Sequence, residues 1–126
     1  MTRDANIRRA GFYRSASDIS TTSSPDPHHW EQRASHYLEQ GQVILAASQW
    51  VDDLMDANNK NICQYSLHTD GVWAWPASLA YYVRRYHVNL PPEFLAHMAS
   101  NNWEVDGLDD ASLEEIGEAL IADLEE

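Results

Sequence analysis

One cysteine, five glycines and eight basic residues are what this chain of 126 residues has in short supply, and each scarcity closes off a class of function. A lone Cys63 allows neither an internal disulfide nor a cysteine-based zinc cluster. The glycines are scattered, so no glycine-rich loop is present to cradle a phosphate. No run of about 18 apolar residues exists to span a membrane. Behind Arg3, Arg8 and Arg9, the stretch from Gly11 to Ser24 is polar where a secretory signal needs an apolar centre, so a cytoplasmic location is expected. Arg3, Arg8, Arg9, Arg14 and Arg33 lie in the first third, which leaves Lys60, Arg84 and Arg85 for everything after it. A chain so poor in cations is repelled by nucleic acid and by anionic membranes.

Acid is what the chain has in excess. Twenty Asp and Glu give a net charge of −12, and Glu104 to Glu126 holds ten acids and no base. Such a surface attracts basic proteins. Solubility alone is the plainer explanation of the same charge.

The length suits one domain with a modest core. Residues 1–25 read as an N-terminal segment: a short edge strand within Ile7 to Arg14, then a mobile loop rich in Ser and Thr from Ser15 to Ser24. Residues 26–126 read as the globular part, ending in an acidic helix. Asp26-Pro27 is a helix start, with Trp30, Ala34, Tyr37 and Leu38 on one stripe and Gly41 as a left-handed stop. Val43 to Ala47 is an apolar run of strand length and reads as a central strand. Trp50 to Met55 reads as a helical turn or an irregular loop, and Asp56 to Asn61 as loop. Tyr65 and Leu67, then Val72, Trp73 and Trp75 around Thr69-Asp70-Gly71, predict a β-hairpin. Pro76 ends its second strand. Leu79, Tyr82, Val83 and Tyr86 predict a helix ending by Asn89, and a shorter helix follows Pro91-Pro92. A last helix carries Leu113, Ile116, Leu120, Ile121 and Leu124, with Ser112 and Glu115 at capping-box spacing. Gly117 lies inside it, where only close packing would require glycine. The expected fold is α+β, a small antiparallel sheet of three or four strands with helices packed on one face.

The pattern Thr69-Asp70-Gly71, Trp73, Trp75-Pro76, Leu79, Tyr82, Tyr86-His87-Val88, Leu90-Pro91, Glu93-Phe94 resembles small uncharacterised actinobacterial proteins. Tyr37 to Gly41 and Val43 to Leu45 fit the same pattern, so the likeness runs from about Gly11 to Trp103. Those proteins are in turn similar to immunity proteins, the cytosolic partners that neutralise polymorphic toxins. The resemblance implies an antitoxin-like inhibitor that works by binding another protein.

Chemical sites are less promising. The six histidines show no pair four apart on one helix and no HExxH motif, so no metal is expected. Ser66, His68 and Asp70 lie together without a nucleophile elbow or oxyanion loop, and Cys63 has no flanking base. No enzyme, catalytic residue or cofactor is expected. Asp70 is read as a turn former, His87 as a helix C-terminal cation or a buried ring, and Trp73 and Trp75 as core. A pocket lined by His68, His87 and Asp70 is what a small-molecule-binding or enzymatic domain would need.

The preferred partner surface comprises Trp50, Asp52, Asp53, Asp56, Trp103, Glu104, Asp106, Asp109 and Asp110. Its carboxylates would meet a basic protein, in first place a toxin, with the tryptophans supplying buried area. Direct contact with nucleic acid or membrane is not expected. An acidic mimic of DNA that blocks a nuclease or defence complex is the neighbouring alternative.

Overall fold

The computed structural model describes residues 7–124. The hairpin expected around Thr69-Asp70-Gly71 is present and forms the middle of the fold. Its strands are β3 (Cys63–Thr69) and β4 (Trp73–Pro76), antiparallel with Leu67 opposite Pro76 and Thr69 opposite Ala74. Gly71 takes φ +103°. Asp70 Oδ1 accepts the amides of Val72 and Trp73, which fixes the turn from its own side chain.

Two further strands complete a sheet of order β1-β4-β3-β2, where β1 is Arg8–Arg9 and β2 is Gln42–Val51. β1 lies parallel to β4, so the sheet is mixed rather than wholly antiparallel. The expected edge strand near Phe12 thus begins earlier, where Ile7 and Ala10 are buried and Ala10 N donates to Ala74 O. Among the described residues β2 pairs only with β3. The central strand expected at Val43 to Ala47 is therefore an edge strand. Its apolar run suggested cover on both faces, yet Val43 is 52 % and Leu45 38 % exposed.

Helices cover both faces of the sheet. On one, Trp73 and Trp75 of β4 meet α2 (Glu31–Gln40), α3 (Ser78–Tyr86) and α4 (Pro92–Ser100) through Tyr37, Leu38, Leu79, Tyr82, Val83, Phe94 and Met98. The predicted stripe of α3 is the face that packs here. On the other face, Leu67 and Ala74 meet Ile116 and Leu120 of α5 (Asp110–Leu124), with Ile44, Tyr65 and Leu108 at the margin. Helices on one face were expected. Sheet alternation demands the second layer, because Ala74 and Leu67 point away from the tryptophans.

Several boundaries move for physical reasons. Residues 15–24 are not all loop: α1 (Ala16–Ser20) places Ile19 in the core with no exposure, which ties this segment to the fold. α2 begins at Glu31 rather than beside Asp26. Glu31 Oε2 accepts the amide of His28 at 2.9 Å and faces His87 Nδ1 at 2.8 Å, so the first-turn carboxylate stitches α2 to the end of α3. Gly41 follows α2 with φ −55° and ψ 143°, outside the left-handed region. It is needed for closeness: a Cβ there would run into the Trp75 indole and the His68 Cβ. His87 takes the left-handed position that ends α3, φ 55°. α5 is capped by Asp109, whose Oδ1 accepts Ser112 N at 2.8 Å, three residues before the expected Ser112 cap.

Gly117 has no such reason. The nearest atoms to an added Cβ are Ile44 O at 3.7 Å and Ile44 Cβ at 3.8 Å, ordinary contact distances. Gly117→Ala is therefore expected to stabilise the chain by about 0.5–1 kcal/mol through helix propensity. Urea unfolding checks this, and a loss of stability would mean that α5 packs more tightly on β2 than these distances allow.

Candidate partner-binding surface

The nine expected contact residues do not form one patch. Trp50 stands opposite Gln64 at the far end of β2, and Asp52 and Asp56 follow it in the loop to β3. Glu104 to Asp110 lies at the other end of β2. There Gln42 Oε1 accepts Leu108 N, and Gln40 Oε1 accepts Val105 N at 3.1 Å. At about 3.3 Å per residue the two groups are separated by roughly 25 Å of strand. The structure places them at the two ends of a single edge.

Within the first group, Trp50 is 56 % exposed and Asp52 is exposed, its Oδ1 accepting Asn61 N at 3.1 Å. Asp56 is half-buried and accepts Asn58 N at 3.0 Å in a local turn. Asp53 is different, and its expected place on the partner surface is corrected. Its side chain has no exposure. The carboxylate accepts the hydroxyls of Tyr81 at 2.6 Å and Tyr86 at 2.7 Å and the Met55 amide at 2.7 Å, with Arg85 Nε at 3.7 Å. Asn59 Nδ2 donates in turn to the Tyr81 hydroxyl. Burial by itself raises the Asp53 pKa, but the two tyrosine hydroxyls, the amide and Arg85 reverse this and hold it below the usual carboxylate value. Burial and the facing Asp53 carboxylate push both tyrosines upward. Asp53 thus pins the β2–β3 loop to α3. Sequence reading missed this because Tyr81 and Tyr86 lie five apart, off any common helical stripe.

The second group is exposed at Glu104, Asp106, Asp109 and Asp110. Hydrogen bonds from the Ser112 amide and hydroxyl hold the Asp109 carboxyl below its ordinary pKa. Trp103, expected as a partly exposed anchor, is half-buried and packs on the main core with φ 59°. Its carbonyl accepts Gln40 Nε2 at 3.3 Å. It anchors the acidic arm more than it presents an aromatic ring.

Between the two groups lies a surface that sequence reading did not assign. β2 contains no charged residue and no proline across its ten positions. Val43, paired with His68, and Trp50, paired with Gln64, share one face of the sheet, while Leu45, paired with Leu67, lies on the other. The available signal was the lapse into Ala46-Ala47-Ser48-Gln49 after Leu45, too small and polar for a strand buried on both faces.

The residues proposed for a ligand pocket are dispersed. His68 Nδ1 binds Gly41 O at 3.0 Å and its Nε2 meets Ser66 Oγ at 2.9 Å. His87 pairs with Glu31, and Asp70 Oδ2 faces the Tyr37 hydroxyl and, at 3.1 Å, His97 Nε2. Ser66, His68 and Asp70 therefore make no triad. A cavity of about 840 Å³ lies elsewhere, lined by Arg9, Arg14, Cys63, Ser66, Tyr82 and Asp123 among others. Burial raises the Cys63 pKa and keeps the thiol protonated. Among the described residues no group of three or more His, Cys, Asp or Glu is placed to hold a metal ion. No helix there is long and apolar enough to cross a membrane. No family model matches the chain, and no curated protein or solved structure is significantly similar to it.

Asp53→Asn is expected to cost about 2 kcal/mol at neutral pH, as the hydrogen bonds that two tyrosine hydroxyls make to a buried charged carboxylate are lost. The folded-state pKa is depressed, so this stabilisation is present above the ordinary carboxylate pKa and disappears as the pH falls through the folded value. Urea unfolding of parent and variant should show a gap at pH 7 that closes in acid. An equal gap at both pH values would remove the charge from the explanation.

Proposed function

We propose that this chain is an immunity-type protein that binds a basic protein toxin in the cytoplasm and blocks it. One observation carries the reading: carboxylates stand exposed at both ends of an uncharged edge strand from which Val43, Leu45 and Trp50 protrude. Acid at the rim and apolar groups in the middle is the arrangement of a specific protein interface. The rim accelerates encounter with a basic partner, and the middle supplies desolvated contact. Against a net charge of −12, a toxin whose basic groove handles nucleic acid or a nucleotide is the complementary class. Asp52, Asp56, Glu104, Asp106, Asp109 and Asp110 are the steering groups, and Trp50 is the aromatic anchor.

Capture of partners from lysate of the source cell is expected to yield one stoichiometric basic protein. Expressed alone in a bacterium, that protein should arrest growth, and co-expression of this chain should relieve the arrest. A partner that is harmless alone, or no stoichiometric partner, would overturn the reading. Asp52→Lys with Asp56→Lys should slow association at least roughly tenfold in a chain that still folds, with some loss of stability because the two carboxylates accept the Asn61 and Asn58 amides. An unchanged association rate would remove that end of β2 from the interface.

A further inference from the structure

A sheet edge offers a row of unpaired amides and carbonyls, and folded proteins guard it with lysine, proline, inward-pointing charge, a very short strand or a covering element. The two edges of this sheet are treated differently. β1 is two residues long and consists of two arginines. β2 runs for ten residues with neither charge nor proline. Among the described residues, no backbone-to-backbone hydrogen bond outside the β3 ladder involves residues 43 to 50. The inner ladder is itself incomplete: Ala46 pairs with Ser66 and Trp50 with Gln64, so Ala47, Ser48 and Gln49 stand against Tyr65 alone. These irregularities add twist, which discourages flat, indefinite stacking of edges while leaving room for a short partner strand.

Charge decides what occupies the edge. In an antiparallel pairing of two copies across β2, the Asp52 end of one strand meets the Gln42 end of the other, where Asp106, Asp109 and Asp110 lie. Acid is set against acid at both ends, between two molecules that each carry −12. A segment with cations at both ends meets the reverse situation. We propose that β2 receives an extended segment of the basic partner as a fifth strand, its apolar middle beside Val43 to Trp50 and a Lys or Arg at each end against the two acidic groups. The proposal rests on the reading that the chain binds a basic protein, and adds how it does so: main-chain hydrogen bonds supply affinity, and the ends set register. Val43 and Trp50 on one face and Leu45 on the other would each meet side chains of the incoming strand.

The test uses the full chain and a synthetic peptide of twelve residues, with alternating valine and threonine in the middle and two lysines at each end. Binding is expected to slow hydrogen exchange of the outward amides between residues 43 and 50 and to weaken at least tenfold between low and moderate salt. The same peptide N-methylated along one edge should not bind, nor should the version with glutamates at its ends. Val43→Lys and Leu45→Lys, both at exposed positions, should each weaken binding at least tenfold with the unfolding midpoint unchanged. No binding, unaltered binding of the N-methylated peptide, or protection outside β2 would overturn strand addition, as would self-association of the chain through β2. If the peptide fails while a basic toxin is still captured and neutralised, strand addition falls and the immunity reading stands. If the peptide adds to β2 but no toxin is relieved, the immunity reading falls and the edge remains a strand acceptor.

Discussion

The approach of Gly41 to the Trp75 indole governs the arrangement of the rest. Trp75 is 1 % exposed, donates its Nε1 proton to Leu38 O at 3.0 Å, and lies against Phe94 at 5.5 Å between ring centres. Phe94 also stacks on Trp73 at 4.4 Å, and Tyr37 closes the cluster. This aromatic group joins α2, α4 and β4, and truncating any one large member would cost about 3–5 kcal/mol. Because α2 ends directly on the indole, the chain can turn into β2 only where the residue has no side chain. β2 is thereby led along the outer side of β3.

From that constraint the surface follows. Among the described residues the strand that leaves Gly41 has no neighbouring strand beyond it, and each of its ends is fastened by a different device. Gln40 and Gln42 hold the acidic arm at the beginning, through the amides of Val105 and Leu108. Asp53 holds the loop at the far end by engaging Tyr81 and Tyr86. Two exposed acidic groups are thus kept apart at a fixed spacing, with uncharged strand between them. A preformed arrangement of this kind spares the ordering entropy that a loose acidic tail would lose on binding.

Much of this was legible in the residues. The hairpin came from Asp70-Gly71 between apolar runs, α3 from its stripe, and the α+β class from the mixture of periods. Local punctuation carried those readings. What local punctuation does not contain is strand order. Val43 to Leu45 has the composition of a buried strand, the small and polar residues after it are the one local hint otherwise, and the course of β3 and β4 makes it an edge. Asp53 posed a similar problem: among Asp52, Asp53 and Asp56 nothing in the sequence separates the buried carboxylate from its exposed neighbours, because its partners lie some thirty residues away on α3. Gly41 was read as a conformational device when it is a steric one. Residue type gave the need for glycine, and packing gave the reason.

The exposure of Trp50 has an optical meaning. Trp73 and Trp75 are almost wholly enclosed and Trp30 is buried, while Trp103 rests half-covered on the core. Trp50 alone among the five tryptophans stands more than half in water. Its indole therefore emits at the red side of the protein's fluorescence and is the one within easy reach of a dissolved quencher. The native chain carries a reporter dye of its own, built into the strand that is open to solvent.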